Sequence, residues 1–119
     1  MNYNEIIDKL NIDLSKETKL NNWMINKRMV KNTSINAAVI FCELKNRRDY
    51  ILSIDNVFYD YWFEFGQEEM QEKTNLTPYE QRKAIGQLVE KNIIQVKKIG
   101  VPARNHFFIN DNEIIKNYF

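Results

Sequence analysis

Apolar residues recur along this chain with spacings that predict a mostly helical domain with a short sheet near its C-terminal end. Residues 4–10 carry apolar residues at helical spacing, and residues 35–46 are apolar on almost every side, which is typical of a helix buried between other elements. Further helices are predicted over residues 67–74 and from Asn112 onward. The inner side of that last helix is expected to carry Ile114, Ile115 and Tyr118.

A helix beginning after Thr77 has the clearest start signal in the sequence. Thr77 is a good N-cap, Pro78 stands at the first helical position, and Glu80 completes a capping box. Asn92 stands where a glycine would usually end such a helix. The predicted inner face consists of Ile85, Leu88 and Val89, with Ala84 at its edge.

Strand-like patterns occur in three places. Residues 93–99 and 105–109 are predicted to form two strands joined by a basic turn. Residues 61–65 have the aromatic composition of a third strand, which we expect to pair with them. Residues 23–25 also have strand spacing, whereas residues 12–22 are polar and predicted to be a loop.

The order helix, strand, basic loop, strand is how a winged helix-turn-helix presents a helix and a wing to nucleic acid. We therefore predict an α+β, mainly helical fold: a winged helix-turn-helix with a small antiparallel β-sheet and extra N- and C-terminal helical segments. The 119 residues are expected to form a single domain. It would consist of an N-terminal arm (residues 1–22), a winged-helix core (residues 23–110) and a C-terminal helix (residues 111–119).

Composition narrows the class of protein. Apolar residues make up 44% of the chain and aromatic residues 13%, which argues against disorder. Apolar runs are too short to cross a bilayer and no secretory signal opens the chain, so we expect a cytoplasmic location and no membrane partner. Cys42, the single cysteine, is expected to be a small buried apolar residue.

The net charge of +1 hides an uneven distribution. Residues 49–76 hold seven acidic residues and one basic residue, whereas residues 77–106 hold six basic and two acidic residues. A basic segment inside a neutral average is what a local phosphate-facing surface looks like. Ordinary charge scatter on a protein surface is an equally good explanation of the charge alone.

Candidate DNA-binding residues lie on the outward side of the helix after Thr77 and around the hairpin turn. They are Tyr79, Arg82, Lys83 and Gln87 on the helix, and Lys97, Lys98 and Arg104 on the hairpin. The helix residues have donors for base edges or phosphates, and the hairpin residues are expected to hold phosphates. Gly86 lowers helix stability by roughly 1 kcal/mol relative to alanine, which favours a close approach of a partner there. The alternatives are a solvated helix face and the protection of an edge strand by charge.

Other functional classes find little support. The aromatic residues from Tyr59 to Phe65 could stack on single-stranded nucleic acid, but acidic neighbours would repel phosphate, so we interpret them as core. His106 is the single histidine, and the sequence has no metal-ligand spacing, P-loop or dinucleotide-binding glycine pattern. We predict no enzyme, no metal and no cofactor. The acidic cluster Glu68, Glu69 and Glu72 has no evident basic partner and is interpreted as a solvated face.

One stretch, LTPYEQRKAIGQLVEKNIIQVKKIGVPARNHFFIN, resembles the winged-helix domain of phage and plasmid replication-initiation proteins of low-GC bacteria. Upstream, WMINKRMV and SINAAVIFCELKNRRDYI resemble the short strand and first long helix of that family. The similarity covers roughly residues 23–110 and is sharpest in IGVPARNHFFIN; Asn92 departs from the usual glycine. The resemblance implies DNA binding at an origin or replisome and, in the family, a C-terminal part that recruits helicase-loading machinery.

The prediction is therefore a non-catalytic protein that binds double-stranded DNA in the replication initiation of a phage or plasmid. Two alternatives stay open. One is a protein-interaction module on the same scaffold, such as a phage-encoded inhibitor of a host protein, which would use the acidic surface of residues 49–72 or the last helix. The other is a transcriptional regulator, which a homodimer on palindromic half-sites would favour.

Overall fold

The computed structural model describes residues 2–16, 22–55 and 62–119. Within these ranges six helices and three strands follow one another. In chain order they are α1 (Tyr3–Lys16), α2 (Lys27–Asn32), α3 (Ile35–Asp55), β1 (Phe63–Glu64), α4 (Gln67–Thr74), α5 (Pro78–Glu90), β2 (Ile94–Ile99), β3 (Arg104–Ile109) and α6 (Asp111–Tyr118).

The three strands form one antiparallel sheet in the order β1-β3-β2. Phe63 of β1 lies opposite Phe107 of β3, and Ile94 of β2 lies opposite Ile109 of β3. Helices α4 and α5 form the helix-turn-helix, and the β2–β3 hairpin, called the wing below, follows α5 directly. The predicted α+β winged-helix fold is confirmed.

The core is built around α3. Ala37, Ala38, Ile40 and Leu44 are at most 1% exposed, so this helix is buried as its sequence predicted. Cys42 is also buried. The sheet, α4, α5 and α6 each contribute apolar side chains that pack around it, namely Phe63, Phe65, Met70, Leu88, Phe107 and Ile114. The interpretation of the aromatic run as core is confirmed for Phe63 and Phe65, but Trp62 is only half-buried and lies outside the core. Tyr59 and Tyr61 lie outside the described residues.

The predicted capping box of α5 is confirmed, and the structure shows further caps at other helix ends. The Thr77 hydroxyl accepts a hydrogen bond from the Glu80 amide at 3.2 Å, and the Glu80 carboxylate accepts one from the Thr77 amide at 3.0 Å. Ser34 caps α3 by accepting a hydrogen bond from the Ala37 amide at 3.1 Å. Asn75 and Asn92 adopt left-handed backbone conformations, with φ of 63° and 59°. Asparagine tolerates this region better than most residues, so it ends α4 and the turn after α5 where glycine is more common.

The N-terminal predictions were partly wrong. Helix α1 continues to Lys16, so the loop predicted from Ile12 is wrong as far as that residue; residues 17–21 lie outside the described part. No strand forms at residues 23–25, and α2 begins directly afterwards. The missed signal is Asn26, whose side chain accepts a hydrogen bond from the Met29 amide at 2.9 Å and so caps α2.

Helix α3 is longer than the predicted residues 35–46. It runs to Asp55, which places Arg47 and Arg48 inside the helix, where both are half-buried. Arg48 Nη1 lies 2.7 Å from an Asp111 carboxylate oxygen at the start of α6, an ion pair that stabilises this extension from a distant part of the chain.

The predicted inner face of α6 is confirmed for Ile114 and Tyr118, which are buried, but it is wrong for Ile115, which is 64% exposed.

Candidate nucleic-acid interface

The buried side of α5 includes a polar residue that the apolar pattern did not predict. Gln81 is 3% exposed, and its amide nitrogen donates to the carbonyl oxygens of Gln67 at 3.1 Å and Leu76 at 3.0 Å. These bonds tie the first half of α5 to the start of α4 and to the turn between the two helices. Val89 was expected on this side but is 37% exposed, whereas Ala84 and Leu88 are buried. Gln81 precedes Ala84 and Leu88 by three and seven residues, so helical spacing alone could have placed it inside.

The opposite side of α5 is polar and open to solvent. Its members, called the outward face of α5, are Tyr79, Arg82, Lys83 and Gly86. Tyr79 is 67% exposed. Within residues 2–16, 22–55 and 62–119, neither Arg82 nor Lys83 forms an ion pair or side-chain hydrogen bond. Both cations are therefore available in this part of the structure for an anionic partner.

Gly86 lies in the middle of the outward face. A methyl group built there would meet no described atom within 4 Å. Packing therefore does not require a glycine at this position. The backbone does not require one either, because Gly86 lies within helix α5, whereas the glycine with a positive φ is Gly100, at 95°. The absence of a side chain leaves the backbone of α5 open to close approach from outside.

Gln87 lies at the edge of the outward face and is half-buried. The Ser34 hydroxyl donates to the Gln87 amide oxygen at 2.6 Å, while the same hydroxyl accepts the capping bond of α3. The oxygen of Gln87 is thus occupied, and its amide nitrogen supplies the remaining donors. This bond connects α5 to the first turn of α3, a contact between residues 53 positions apart that the sequence pattern did not suggest.

The two wing lysines point to opposite faces of the sheet, because neighbouring residues of a strand alternate. Lys97 lies opposite His106 on the face away from the core, and its ammonium nitrogen is 3.9 Å from the centre of the Trp62 ring. Lys98 lies opposite Asn105 on the other face. It lines an open cleft of about 600 Å³ between the wing and the start of α4. The pair predicted as one phosphate-binding group is therefore divided between two surfaces.

Arg104 has an acidic partner. Its guanidinium nitrogen Nη1 lies 3.0 Å from the Glu64 carboxylate, with side-chain exposures of 65% and 43%. Lys98, Arg104 and the acidic residues Glu68 and Glu69 all line the cleft beside the wing. The wing is consequently less cationic than its sequence suggests, whereas Arg82 and Lys83 on the outward face of α5 have no described acidic partner.

The acidic segment is also more balanced than its sequence predicted. Glu69 pairs with Arg47 of α3, whose guanidinium lies 4.2 Å from the centre of the Phe65 ring. The interpretation of all three glutamates as a cluster without a basic partner is therefore wrong for Glu69.

Among the described residues, the pKa is shifted at Glu80 and at Cys42. The Thr77 amide donates a hydrogen bond to the Glu80 carboxylate, and this bond, with a smaller contribution from the Thr77 side chain, holds the pKa of that carboxyl below its usual range. Burial raises the pKa of the Cys42 thiol.

His106, the single histidine, contacts the wing backbone: its Nδ1 lies 3.0 Å from the Arg104 carbonyl oxygen. In the described ranges no cluster of three or more His, Cys, Asp or Glu residues is placed to hold a metal ion, and no helix is long and apolar enough to cross a membrane.

Two solved structures share this fold. A structure described as a Rep–DNA complex superimposes with a TM-score of 0.59 at 16% sequence identity, over 81% of this chain and 79% of that chain. A structure described as the N-terminal domain of a DNA-binding protein also gives a TM-score of 0.59 at 16% identity, over 87% of this chain and 88% of that chain. No protein-family model and no curated protein matches the sequence. At this identity the likeness establishes the fold.

Proposed function

We propose that this chain is a non-catalytic protein that binds double-stranded DNA through the outward face of α5, with the wing as a second contact. The observation that carries the proposal is the division of α5 into two sides. Gln81, Ala84 and Leu88 are buried, while Arg82 and Lys83 are exposed on the other side. Arg82 and Lys83 lie in the N-terminal half of α5, and in a helix-turn-helix the N-terminal part of the second helix enters the major groove.

The finer assignment is replication initiation of a phage or plasmid in the cytoplasm of its host. It is supported by the resemblance of residues 23–110 to replication-initiation proteins and by the shared fold with a Rep–DNA complex. A transcriptional regulator would use the same surface on a different DNA site. Footprinting on the replication origin and on the promoters of the element that encodes the chain distinguishes the two: protection of origin repeats supports replication, and protection of promoters alone contradicts it.

DNA binding itself is tested with a fluorescent duplex, titrated at several salt concentrations. We expect affinity to fall steeply with salt, since each neutralised phosphate releases a counterion and contributes about 0.9 to the slope of log K against log salt. Lys83→Glu should abolish binding at moderate salt. Lys116→Glu is the matched control, because it makes the same charge change on α6 at an exposed residue.

Equal effects of the two charge reversals would contradict a specific role of α5. Absence of binding by the folded wild-type chain at low salt would contradict DNA binding altogether and favour the protein-interaction alternative.

A further inference from the structure

One face of the sheet points away from the core. Phe63, Phe107 and Ile109 are buried in the core, and neighbouring residues of a strand alternate, so the residues between them point outward. This surface, called the outer sheet face, includes side chains from all three strands and from the residue before β1, each of them exposed or half-buried: Trp62, Glu64, Lys97, Arg104, His106 and Phe108.

Two aromatic rings lie together on the outer sheet face. The ring centres of Trp62 and Phe108 are 5.7 Å apart, and the ring planes are tilted by 37°. Both side chains are half-buried and neither belongs to the core cluster, so both remain in contact with solvent. Exposed aromatic side chains bind single-stranded nucleic acid, because every base has a flat face that stacks on a ring whatever the sequence.

A cation lies directly beside these rings. Lys97 reaches from β2 across β3, and its ammonium nitrogen is 3.9 Å from the centre of the Trp62 ring. An exposed cation–π contact is weaker than the stacking of a base on an aromatic ring. A base can therefore displace the ammonium, which then pairs with a phosphate of the same strand.

The acidic neighbours of the aromatic run are less repulsive to phosphate than the sequence suggested. Glu64 lies on the outer sheet face, but its carboxylate is paired with the Arg104 guanidinium at 3.0 Å. With Lys97 added, the two cations of this group outnumber its one carboxylate. Asp60 lies outside the described residues.

We propose that the outer sheet face binds single-stranded DNA, with bases stacked on Trp62 and Phe108 and a phosphate held by Lys97. Rings next to a cation match the alternation of flat bases and anionic phosphates along a single strand. In a duplex the base faces are covered by neighbouring base pairs, so this site is distinct from the outward face of α5. The choice of DNA over RNA rests on the proposed function, since a protein on duplex DNA meets single-stranded DNA where the duplex opens.

The first test measures the fluorescence anisotropy of a labelled oligothymidine of about 12 nucleotides, within the usual range of single-strand sites, titrated with the whole chain. Trp62→Leu keeps an apolar side chain but removes the ring, and it should weaken binding by about 5- to 150-fold. Trp62→Phe is the matched control, because it keeps a ring and should retain most of the affinity. Circular dichroism shows whether each variant is folded. No binding by the wild type overturns the proposal, as do equal losses in the two variants.

The second test locates the bound strand by intrinsic fluorescence. The chain has two tryptophans, and the indole nitrogen of Trp23 donates to Glu43 of α3 at 2.9 Å, away from the sheet. In Trp23→Phe the emission of Trp62 should be quenched by unlabelled oligothymidine, because a stacked base contacts the ring. In Trp62→Phe the emission of Trp23 should not change. Quenching of Trp23 alone, or of neither tryptophan, overturns the outer sheet face as the site.

The third test concerns the phosphate contact and the kind of strand. Lys97→Gln should reduce the slope of log K against log salt for oligothymidine by about 0.7; an unchanged slope overturns the role of Lys97. Tighter binding of an oligouridine of the same length overturns the choice of DNA.

Two variants separate this site from the proposed function. Lys83→Glu should lose duplex binding and retain oligothymidine binding, whereas Trp62→Leu should lose oligothymidine binding and retain duplex binding. Failure of the wild type to bind duplex DNA would contradict the proposed function and leave the oligothymidine result standing. Loss of both activities in folded Lys83→Glu would assign single strands to α5 and overturn the outer sheet face.

Discussion

Replacing Glu64 with glutamine should strengthen DNA binding, although Glu64 itself contributes nothing to a DNA contact. The Glu64 carboxylate lies 3.0 Å from the guanidinium of Arg104 and neutralises the exposed cation of the wing. Glu64→Gln keeps the shape of the side chain and removes its charge. Arg104 then becomes available to a phosphate, and one acidic group is removed from the same surface.

The expected magnitude follows from counterion release. One additional phosphate contact makes the slope of log K against log salt steeper by about 0.9, so affinity at 0.1 M salt rises by about 8-fold if wild type and variant bind equally at 1 M. The free energy of unfolding should hardly change, because an exposed ion pair contributes about 0–1 kcal/mol to it. Fluorescence anisotropy with a labelled duplex at four or more salt concentrations measures both affinity and slope, and thermal denaturation measures stability.

The control is Glu113→Gln on α6, which makes the same charge change at an exposed residue elsewhere. At 0.1 M salt, charges more than about 10 Å from the DNA are largely screened, so the slope of this variant should equal that of the wild type. Arg104→Gln completes a double-mutant cycle. It should reduce the slope by about 0.9 in the Glu64→Gln background and by less in the wild type. An unchanged slope for Glu64→Gln, or an equal effect of Arg104→Gln in both backgrounds, would refute the reasoning.

Three further predictions concern the stability of α5. Gly86→Ala should stabilise the fold by about 1 kcal/mol, because the glycine is exposed, helical and surrounded by open space; a lower melting temperature would be inconsistent with this. Gln81→Leu should destabilise it by about 1–3 kcal/mol in urea denaturation, since the carbonyl groups of Gln67 and Leu76 lose their donor; an unchanged midpoint would show that those bonds are dispensable. The pKa of Glu80 is lower in the folded chain than its ordinary value of 4.5, so its carboxylate stabilises the fold above that pH and this stabilisation is lost as pH falls through the folded-state pKa. The stability difference between wild type and Glu80→Gln should therefore shrink in acid, and a difference independent of pH would contradict the capping role.

The sequence predicted those features whose causes are local. The capping box of α5 needs three neighbouring residues, and its two hydrogen bonds formed as expected. The strand boundaries of the wing were accurate to one residue, because the basic turn at Gly100 separates two apolar runs. The outward residues of α5 followed from helical spacing, which also placed Leu88 in the core.

Features that depend on distant contacts could not be predicted in this way. The extension of α3 is stabilised by the pair between Arg48 and Asp111, which are 63 positions apart. The pairing of Arg104 with Glu64 spans 40 positions and exists because β1 and β3 are neighbours in the sheet. The division of Lys97 and Lys98 between two faces was, by contrast, available from strand alternation alone. Treating the two lysines as one group overlooked that rule.

The distribution of ion pairs explains how a nearly neutral chain can present a cationic surface. Three acidic side chains of the segment after residue 48 are paired with cations from α3 and the wing: Asp49 with Lys45 at 2.6 Å, Glu69 with Arg47, and Glu64 with Arg104. The pairing is internal to that side of the molecule and does not involve the basic residues of α5. Arg82 and Lys83 therefore keep their charge uncompensated by any described side chain. A net charge of +1 is compatible with two exposed cations side by side on the outward face of α5, because part of the acidic charge is paired on another side of the molecule. The charge that faces a phosphate depends on this separation more than on the total.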